Sequence, residues 1–245
     1  MTTSSTFSGT PTQSSISFSD LFTRCEISLN DETSATWDTE MIANWINDAI
    51  RDYSQHFPRI RTQTISCAAG DQEYDLNADF LAVLSVEYPV GEDPRVFLSR
   101  LAFQHPDLQS GVFWYDIVSR LDDTNQSELW ISAEPAAGET ISIEYHAHHA
   151  LMDDPASPSG ESSVPPTHQH LLVKYVLWQA TLHLMFAEQQ SPTSSSSLLM
   201  AQLSQNARRL ESAYHTAVRQ ALYAADGCSQ STPWIATGDL HARIY

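Results

Sequence analysis

Half of the ten histidines in this 245-residue chain lie between positions 146 and 170, and their spacing is compatible with metal binding. They are His146, His148, His149, His168 and His170. In the segment "IEYHAHHALMDD", an extended backbone would place Glu144, His146 and His148 on one face. An HxH pair beside a carboxylate can supply the first ligands of a zinc or iron site. These three residues are therefore a candidate metal centre.

The same histidines also fit the end of a strand that opens into a linker, with imidazoles solvated or hydrogen-bonded to the backbone. The second pair follows a Pro- and Ser-rich segment, and no other ligand pair is fixed near the first. We favour this interpretation and expect no metal and no cofactor, with His146, His148 and Glu144 as the alternative ligand set. At an interface, such histidines would make pH-sensitive contacts.

Sequence motifs of catalysis and nucleotide binding are missing. The chain contains no GxSxG, GxxxxGK[ST] or GxGxxG sequence, and no cysteine has a recognisable histidine context. We therefore expect no enzymatic activity and no catalytic residue.

Charge is the strongest constraint that composition sets. Thirty Asp and Glu face twelve Lys and Arg, so the formal net charge is −18, and Lys174 is the only lysine. Specific binding to DNA is not expected, because neutralising phosphates requires clustered basic residues. The acidity instead suits a self-repelling surface, a saline environment or a channel that DNA slides past, and composition leaves these three open.

The cysteines and the hydropathy pattern bear on the compartment. Cys25, Cys67 and Cys228 are odd in number and far apart, which predicts reduced thiols rather than a disulfide framework. The first residues do not resemble a signal peptide, and no apolar run approaches the roughly 20 residues of a membrane-spanning helix. We expect a protein made in a cytoplasm, without a membrane partner.

Apolar residues recur at helical spacing after a Ser- and Thr-rich arm at residues 1–17. The clearest helix follows Asp38, a suitable N-cap, and ends before Pro58. Its apolar stripe comprises Met41, Ile42, Trp45, Ile46, Ala49, Ile50 and Tyr53. Asn47 lies beside the stripe, and we expect its side chain to bond a buried backbone group; an exposed position is the alternative.

From about residue 60 to 149 the apolar period changes to two, in six or seven short runs separated by turn residues. The expected fold class is α+β: a helical bundle with an inserted antiparallel β-sandwich or small barrel, plus extended N- and C-terminal tails. The expected divisions are a flexible arm (1–17), the first half of the helical bundle (18–60), the β-rich insertion (61–150), a linker (151–166), the second half of the bundle (167–226) and a docking tail (227–245).

The helix that begins near Thr167 is apolar around most of its circumference, which predicts burial by neighbouring subunits. The candidate interface residues are Tyr175, Trp178, Leu182 and Phe186. A second long helix follows from Leu198 to Ala225, with Gly227 as its expected stop. The polar tail after it carries enough apolar area to predict docking on a partner through Trp234, Ile235, Leu240, Ile244 and Tyr245.

Several segments, in this order, resemble the head-to-tail adaptor proteins of tailed bacteriophages, also called connector or head-completion proteins. They are "DLFTRCEISLND", "WDTEMIANWINDAIRDYSQHFP", "QEYDLNADFLAVLSVEYP", "LWISAEPAAGETISIEYHAHHALMDD" and "VPPTHQHLLVKYVLWQA". The similarity covers roughly residues 18 to 225 and rests on segment order rather than on a catalytic signature.

This resemblance implies a structural protein of the virion neck that is assembled in the host cytoplasm. Such proteins form a ring, commonly dodecameric, beneath the portal protein and extend the DNA channel without binding DNA specifically. A tail protein or second neck protein binds below, and the C-terminal segment docks on the portal above. The five apolar tail residues would then be the portal-docking residues.

An alternative function is a β-sandwich binding module, for a carbohydrate or a host surface, flanked by oligomerising helices. This function requires an exposed row of aromatic side chains on one sheet face. Trp114 and Tyr115 are the adjacent pair that invites the idea, although neighbouring strand residues point to opposite faces.

Overall fold

A computed structural model describes residues 16–32, 36–101, 113–119, 127–190 and 196–228. The chain divides into two compact units, Met1–Ala49 with Met152–Tyr245 and Ile50–Leu151, which we call the helical unit and the β unit. The α+β class expected from the sequence is confirmed. The finer division into arm, bundle, insertion, linker and tail stays a prediction.

The elements follow the order that the apolar periods predict, with two short strands added. They are β1 (Ile16–Ser17), α1 (Phe18–Leu29), α2 (Thr39–His56), β2 (Arg59–Ser66), β3 (Glu73–Asp75), β4 (Phe80–Glu87), β5 (Ser99–Arg100), β6 (Trp114–Ser119), β7 (Ser127–Ile131), β8 (Thr140–Ala147), β9 (Glu161–Ser162), α3 (Gln169–Gln190) and α4 (Ser196–Cys228). The additions are β1 and β9, which pair antiparallel with each other. β1 lies in the segment expected to be a flexible arm, and β9 lies in the expected linker.

Polar side chains define both ends of α1 and the turn that follows it. The Ser17 hydroxyl accepts a hydrogen bond from the Asp20 N–H at 3.0 Å, and Asn30 ends the helix in the left-handed conformation, φ 56°. The buried carboxylate of Asp31 then accepts from the N–H groups of Thr36 and Trp37, the latter at 2.7 Å. A carboxylate that satisfies successive backbone donors holds the chain in position just before α2 begins.

The α2 helix confirms the predicted stripe and the role of Asn47. Ile42, Ile46 and Ala49 are fully buried. Asn47 is 5% exposed. Its amide donates to the Met152 carbonyl oxygen at 3.2 Å, and its Oδ1 accepts from the Met152 N–H at 2.8 Å. The side chain thereby satisfies both backbone groups of a residue 105 positions away, within the helical unit.

Consecutive helices α3 and α4 pack against each other as a hairpin. The ring of Tyr214 on α4 lies 5.4 Å from Tyr175 and 6.3 Å from Trp178, centroid to centroid. Ala207, Ala217 and the Tyr214 ring are buried along the predicted α4 stripe. Gly227, expected to end α4, lies inside it, because α4 runs to Cys228.

The β unit contains two sheets, in the strand orders β2-β8-β4 and β3-β7-β6-β5. The pairs are antiparallel except β5–β6, which is parallel and differs from the all-antiparallel expectation. Ile141, Ile143 and Tyr145 of β8 are fully buried in one core with residues of the other sheet, such as Leu129 and Ile131. The strict alternation on β8 places Ser142, Glu144 and His146 on the opposite face.

Candidate assembly surfaces

The β unit brings His146 and His148 into similar surroundings, as the alternation predicted. His146 pairs across β8 with Ile60 on β2 and Ala82 on β4, while the His148 N–H donates to the Asp79 carbonyl oxygen at 2.7 Å. The Nδ1 atoms of both imidazoles are buried without a hydrogen-bond partner among the described residues. Burial lowers both pKa values, partly offset by Glu144 at His146.

His149 has different surroundings from His146 and His148. It is buried, its N–H donates to the Ser54 hydroxyl at 3.0 Å, and its Nε2 lies 2.9 Å from the Phe57 carbonyl oxygen. Its ring packs edge-on against Tyr53, 5.1 Å between centroids. This histidine is a satisfied core residue that ties the end of β8 to α2 within the β unit.

A metal centre would need a third ligand beside His146 and His148. In the regions of the chain that the structure describes, no group of three or more His, Cys, Asp and Glu side chains is arranged to hold a metal ion. His168 and His170 belong to the helical unit, where the His170 Nδ1 lies 2.9 Å from the Thr167 carbonyl oxygen. The sequence cluster therefore separates into residues with different environments.

The lowered pKa values of His146 and His148 predict a loss of stability on acidification. Their folded pKa values lie below the unfolded value, so the unfolded chain binds more protons as pH falls, and the folded state weakens below about pH 6.5. We expect the melting temperature of the wild type to fall from about pH 7.5 to pH 5 more steeply than that of the His146→Gln/His148→Gln variant. Differential scanning fluorimetry across this range measures both slopes.

The matched control is His170→Gln, because His170 is an exposed histidine of the other unit. This variant should retain the wild-type slope. Equal slopes for the wild type and the double variant would contradict the assignment of the acid sensitivity to His146 and His148.

The aromatic pair on β6 does not form an exposed row. Trp114 and Tyr115 are both buried, so the surface feature required by a carbohydrate-binding sheet is not supplied by them. Phe97 and Phe113 are exposed aromatic residues of the described β unit, and neither carries the polar edge of Trp or Tyr. The alternative function as a binding module therefore lacks its discriminating feature in the described strands.

Helix α3 is covered by its own chain along its first half. Leu171, Leu172 and Val176 are buried, and farther along His183 packs edge-on against Trp37 and Trp45 at 5.5 and 5.9 Å. Intrachain packing thus accounts for some of the apolar circumference that predicted burial by other subunits.

The four predicted interface residues on α3 have different environments. Tyr175 and Trp178 contact α4 within the chain, Leu182 is half-buried, and Phe186 is 54% exposed. Their contribution to a subunit interface stays a prediction. Because Tyr175 and Trp178 already contact α4, Leu182 and Phe186 are the members that retain most capacity for a new partner.

Exposed apolar side chains lie on the last turns of α3 and at the beginning of α4. We call these residues the hairpin tip: Leu184, Phe186, Leu198 and Leu199, whose exposed fractions run from 37 to 66%. Sequence reasoning found Phe186 and missed Leu184, Leu198 and Leu199 as contact residues. Their position beside the predicted helix–helix loop could have indicated exposure, because few elements lie near such a loop to cover apolar side chains.

A groove with basic and apolar walls lies between α1 and the start of α3. The Arg24–Lys174 groove encloses about 450 Å³ and is lined by Arg24, Ile27, Ser28, Pro166, His170, Val173 and Lys174. Arg24 Nη1 donates to Oε1 of Gln169 at 3.1 Å, and Gln169 is only 1% exposed. The Gln169 Nε2 has no hydrogen-bond partner among the described residues. Sequence reasoning did not predict this groove, because its two walls lie 145 positions apart.

The apolar tail residues predicted to dock on the portal lie outside the described residues. They are Trp234, Ile235, Leu240, Ile244 and Tyr245.

The described helices include none that is long and apolar enough to cross a membrane.

Comparison with known proteins identifies a family for most of the chain. No curated protein matches the chain. The family model of the SU10 adaptor protein matches residues 16–226, from the first residue of β1 to near the end of α4. This match covers more than four fifths of the chain and includes both walls of the groove and the whole hairpin tip. The chain therefore belongs to the SU10 adaptor protein family of tailed-bacteriophage head–tail adaptors.

Proposed function

We propose that this adaptor is a structural neck protein that assembles into a ring, dodecameric in the expected form, beneath the portal. The ring extends the DNA channel, and a tail protein or second neck protein binds its lower face. Family membership supports the adaptor role itself. The protein acts without catalytic turnover or a cofactor.

The hairpin tip is the observation that carries the ring proposal. Four large apolar side chains lie exposed at the end where α3 and α4 are joined. A cluster of this kind on a small protein marks a contact surface. Repeated contacts between one patch and a different patch of the next copy generate a ring when the rotation closes. A second copy therefore supplies the cover that the described residues of one chain do not.

The acidity of the chain supports passage of DNA without retention. With 30 acidic and 12 basic residues, a channel built from many copies repels phosphate groups along its length. DNA is therefore a passing cargo rather than a bound partner. The apolar residues of the C-terminal tail provide the portal contact.

Assembly of the purified chain, alone and with its portal protein, tests this function. We expect rings by negative-stain electron microscopy and a matching mass by light scattering. The Leu184→Glu/Phe186→Glu variant should lose rings, because two charges cannot be buried in an apolar contact without a large desolvation cost. The control Leu84→Glu changes a β4 leucine that is 43% exposed, close to the 40% of Leu184.

Rings from the wild type and Leu84→Glu, but not from the tip variant, are the expected result. A wild-type protein that remains monomeric even with its portal contradicts the proposed function. Rings that form equally well from the tip variant would exclude the hairpin tip as the subunit contact.

Deletion of residues 230–245 separates portal attachment from folding. The truncated chain should keep the wild-type melting temperature and its rings, because the deleted residues follow α4. We expect its affinity for the portal to fall by about 100-fold or more, since removing several apolar anchors from an interface costs a few kcal/mol. Binding to the immobilised portal at wild-type affinity would contradict the docking role of the tail.

A further inference from the structure

Basic residues are scarce in this chain, and three of those in the β unit lie near carboxylates. In the β unit, Arg61 lies 2.6 Å from Asp79, Arg95 lies 3.9 Å from Glu87, and Arg100 lies 3.7 Å from Asp116. In the helical unit, no described Lys or Arg has a carboxylate oxygen within 4.0 Å. The basic residues described in the helical unit are Arg24, Lys174, Arg208, Arg209 and Arg219.

Charge is also distributed unevenly along the sequence. The hairpin from residue 169 to 228 contains four basic and three acidic residues, whereas the chain as a whole has a net charge of −18. Copies with this net charge repel one another unless positive groups of one face carboxylates of the next. The basic residues without a carboxylate partner are the groups that an assembled state can use for this purpose.

The Arg24–Lys174 groove concentrates two of these cations in a concave, partly apolar setting. Arg24 is held by a neutral amide, the Gln169 side chain, so its positive charge is not compensated by that contact. Lys174, the only lysine of the chain, lines the same groove with Ile27 and Val173. Two cations in one groove attract a carboxylate more strongly than either cation does alone.

The buried amide that holds Arg24 is only partly satisfied by the described residues. Gln169 accepts from Arg24 through Oε1, which leaves its Nε2 as a donor without a partner among the described residues. A buried donor in this state costs free energy.

We propose that the Arg24–Lys174 groove binds a carboxylate side chain, flanked by an apolar residue, from a second copy of this chain. This inference rests on the proposed ring function and adds a second, electrostatic contact to the apolar one at the hairpin tip. Charge complementarity favours this occupant, because each copy has 30 acidic side chains and only 12 basic groups to receive them. DNA phosphates and an acidic segment of the portal are the competing occupants.

Charge substitutions at Lys174 test the contact. We expect Lys174→Gln to raise the protein concentration at half-assembly several-fold, because it removes a charge-assisted contact. Lys174→Glu should raise this concentration about tenfold or more, because it also adds repulsion between two carboxylates. The matched control is Arg95→Glu, which changes the net charge by the same amount on an exposed side chain of the β unit. Circular dichroism and melting temperature establish that each variant is folded.

A photo-crosslinking amino acid in place of Val173, in an assembled protein that is otherwise wild type, identifies the occupant of the groove. Sequencing of the crosslinked product should give a peptide of a second copy that contains Asp or Glu, distinguished from an intrachain product by mixing isotopically heavy and light protein. A portal peptide, a DNA adduct or only intrachain products would overturn the proposal. Assembly of Lys174→Glu at the same concentration as Arg95→Glu would overturn it as well.

These outcomes are distinguishable from failure of the proposed function. If wild-type rings form and the groove variants assemble normally, only the groove contact is wrong. If the wild type forms no rings alone or with its portal, the ring function and the groove contact are both contradicted.

Discussion

Replacing Tyr214 by alanine is expected to lower the free energy of unfolding by about 3–5 kcal/mol, the usual cost of truncating a buried aromatic side chain. Tyr214 is 1% exposed and packs against both Tyr175 and Trp178, so its removal leaves a cavity at the centre of the α3–α4 hairpin. Chemical denaturation followed by tryptophan fluorescence measures the change, because Trp178 lies at the site.

The α4 helix contains its own control for this substitution. Tyr223 is 74% exposed, and Tyr223→Ala should change stability by no more than about 0.5 kcal/mol. Both variants lose the same atoms from the same helix, so the difference isolates packing from helix propensity. Equal losses would mean that the hairpin does not pack as described.

Replacing Asn47 by alanine should cost about 2–4 kcal/mol, because both backbone groups of Met152 lose their hydrogen-bond partner in a buried environment. Alanine has the higher helix propensity, which offsets roughly 0.5 kcal/mol of this cost. The free energy of unfolding from urea titration is the appropriate measurement. The expected effect is large because the lost bonds join segments that are far apart in the sequence.

Asn44→Ala is the matched control on α2. Asn44 is exposed, so its replacement should leave stability unchanged or raise it by about 0.5 kcal/mol through helix propensity. If Asn44→Ala and Asn47→Ala have the same effect, the two hydrogen bonds to Met152 do not contribute to stability. Opposite signs for the two substitutions are the expected outcome.

Local pattern predicted much of the fold. The stripe on α2 has the 3.6-residue period of a buried helix face, and Ile42 and Ile46 are fully buried. The alternation on β8 predicted that Ile141 and Ile143 would face the core, which they do. Both patterns are visible in the sequence because a helix or strand buries one face. Apolar residues therefore recur with the period of that helix or strand.

Pairings between distant or weakly patterned segments were not predictable. Two residues form β9, too few to show a period, and composition indicated a linker there. The parallel β5–β6 pair likewise involves a two-residue strand. The carboxylate of Asp31 satisfies backbone donors of Thr36 and Trp37 through a turn whose shape no periodic signal encodes. In each instance the stabilising partner is a backbone group, which is the same in every residue type.

The sequence by itself determined the α+β class, the two strongest amphipathic patterns, the acidic character and the family resemblance, because each depends on composition or on neighbouring residues. Only the tertiary structure decided that His146 and His148 each have a buried Nδ1 without a partner among the described residues, while His149 is a satisfied core residue. It likewise decided that the cations of the helical unit lack carboxylate partners among the described residues, two of them in one groove. Such properties depend on which distant side chains meet, and a single chain read along its length contains no periodic signal for that.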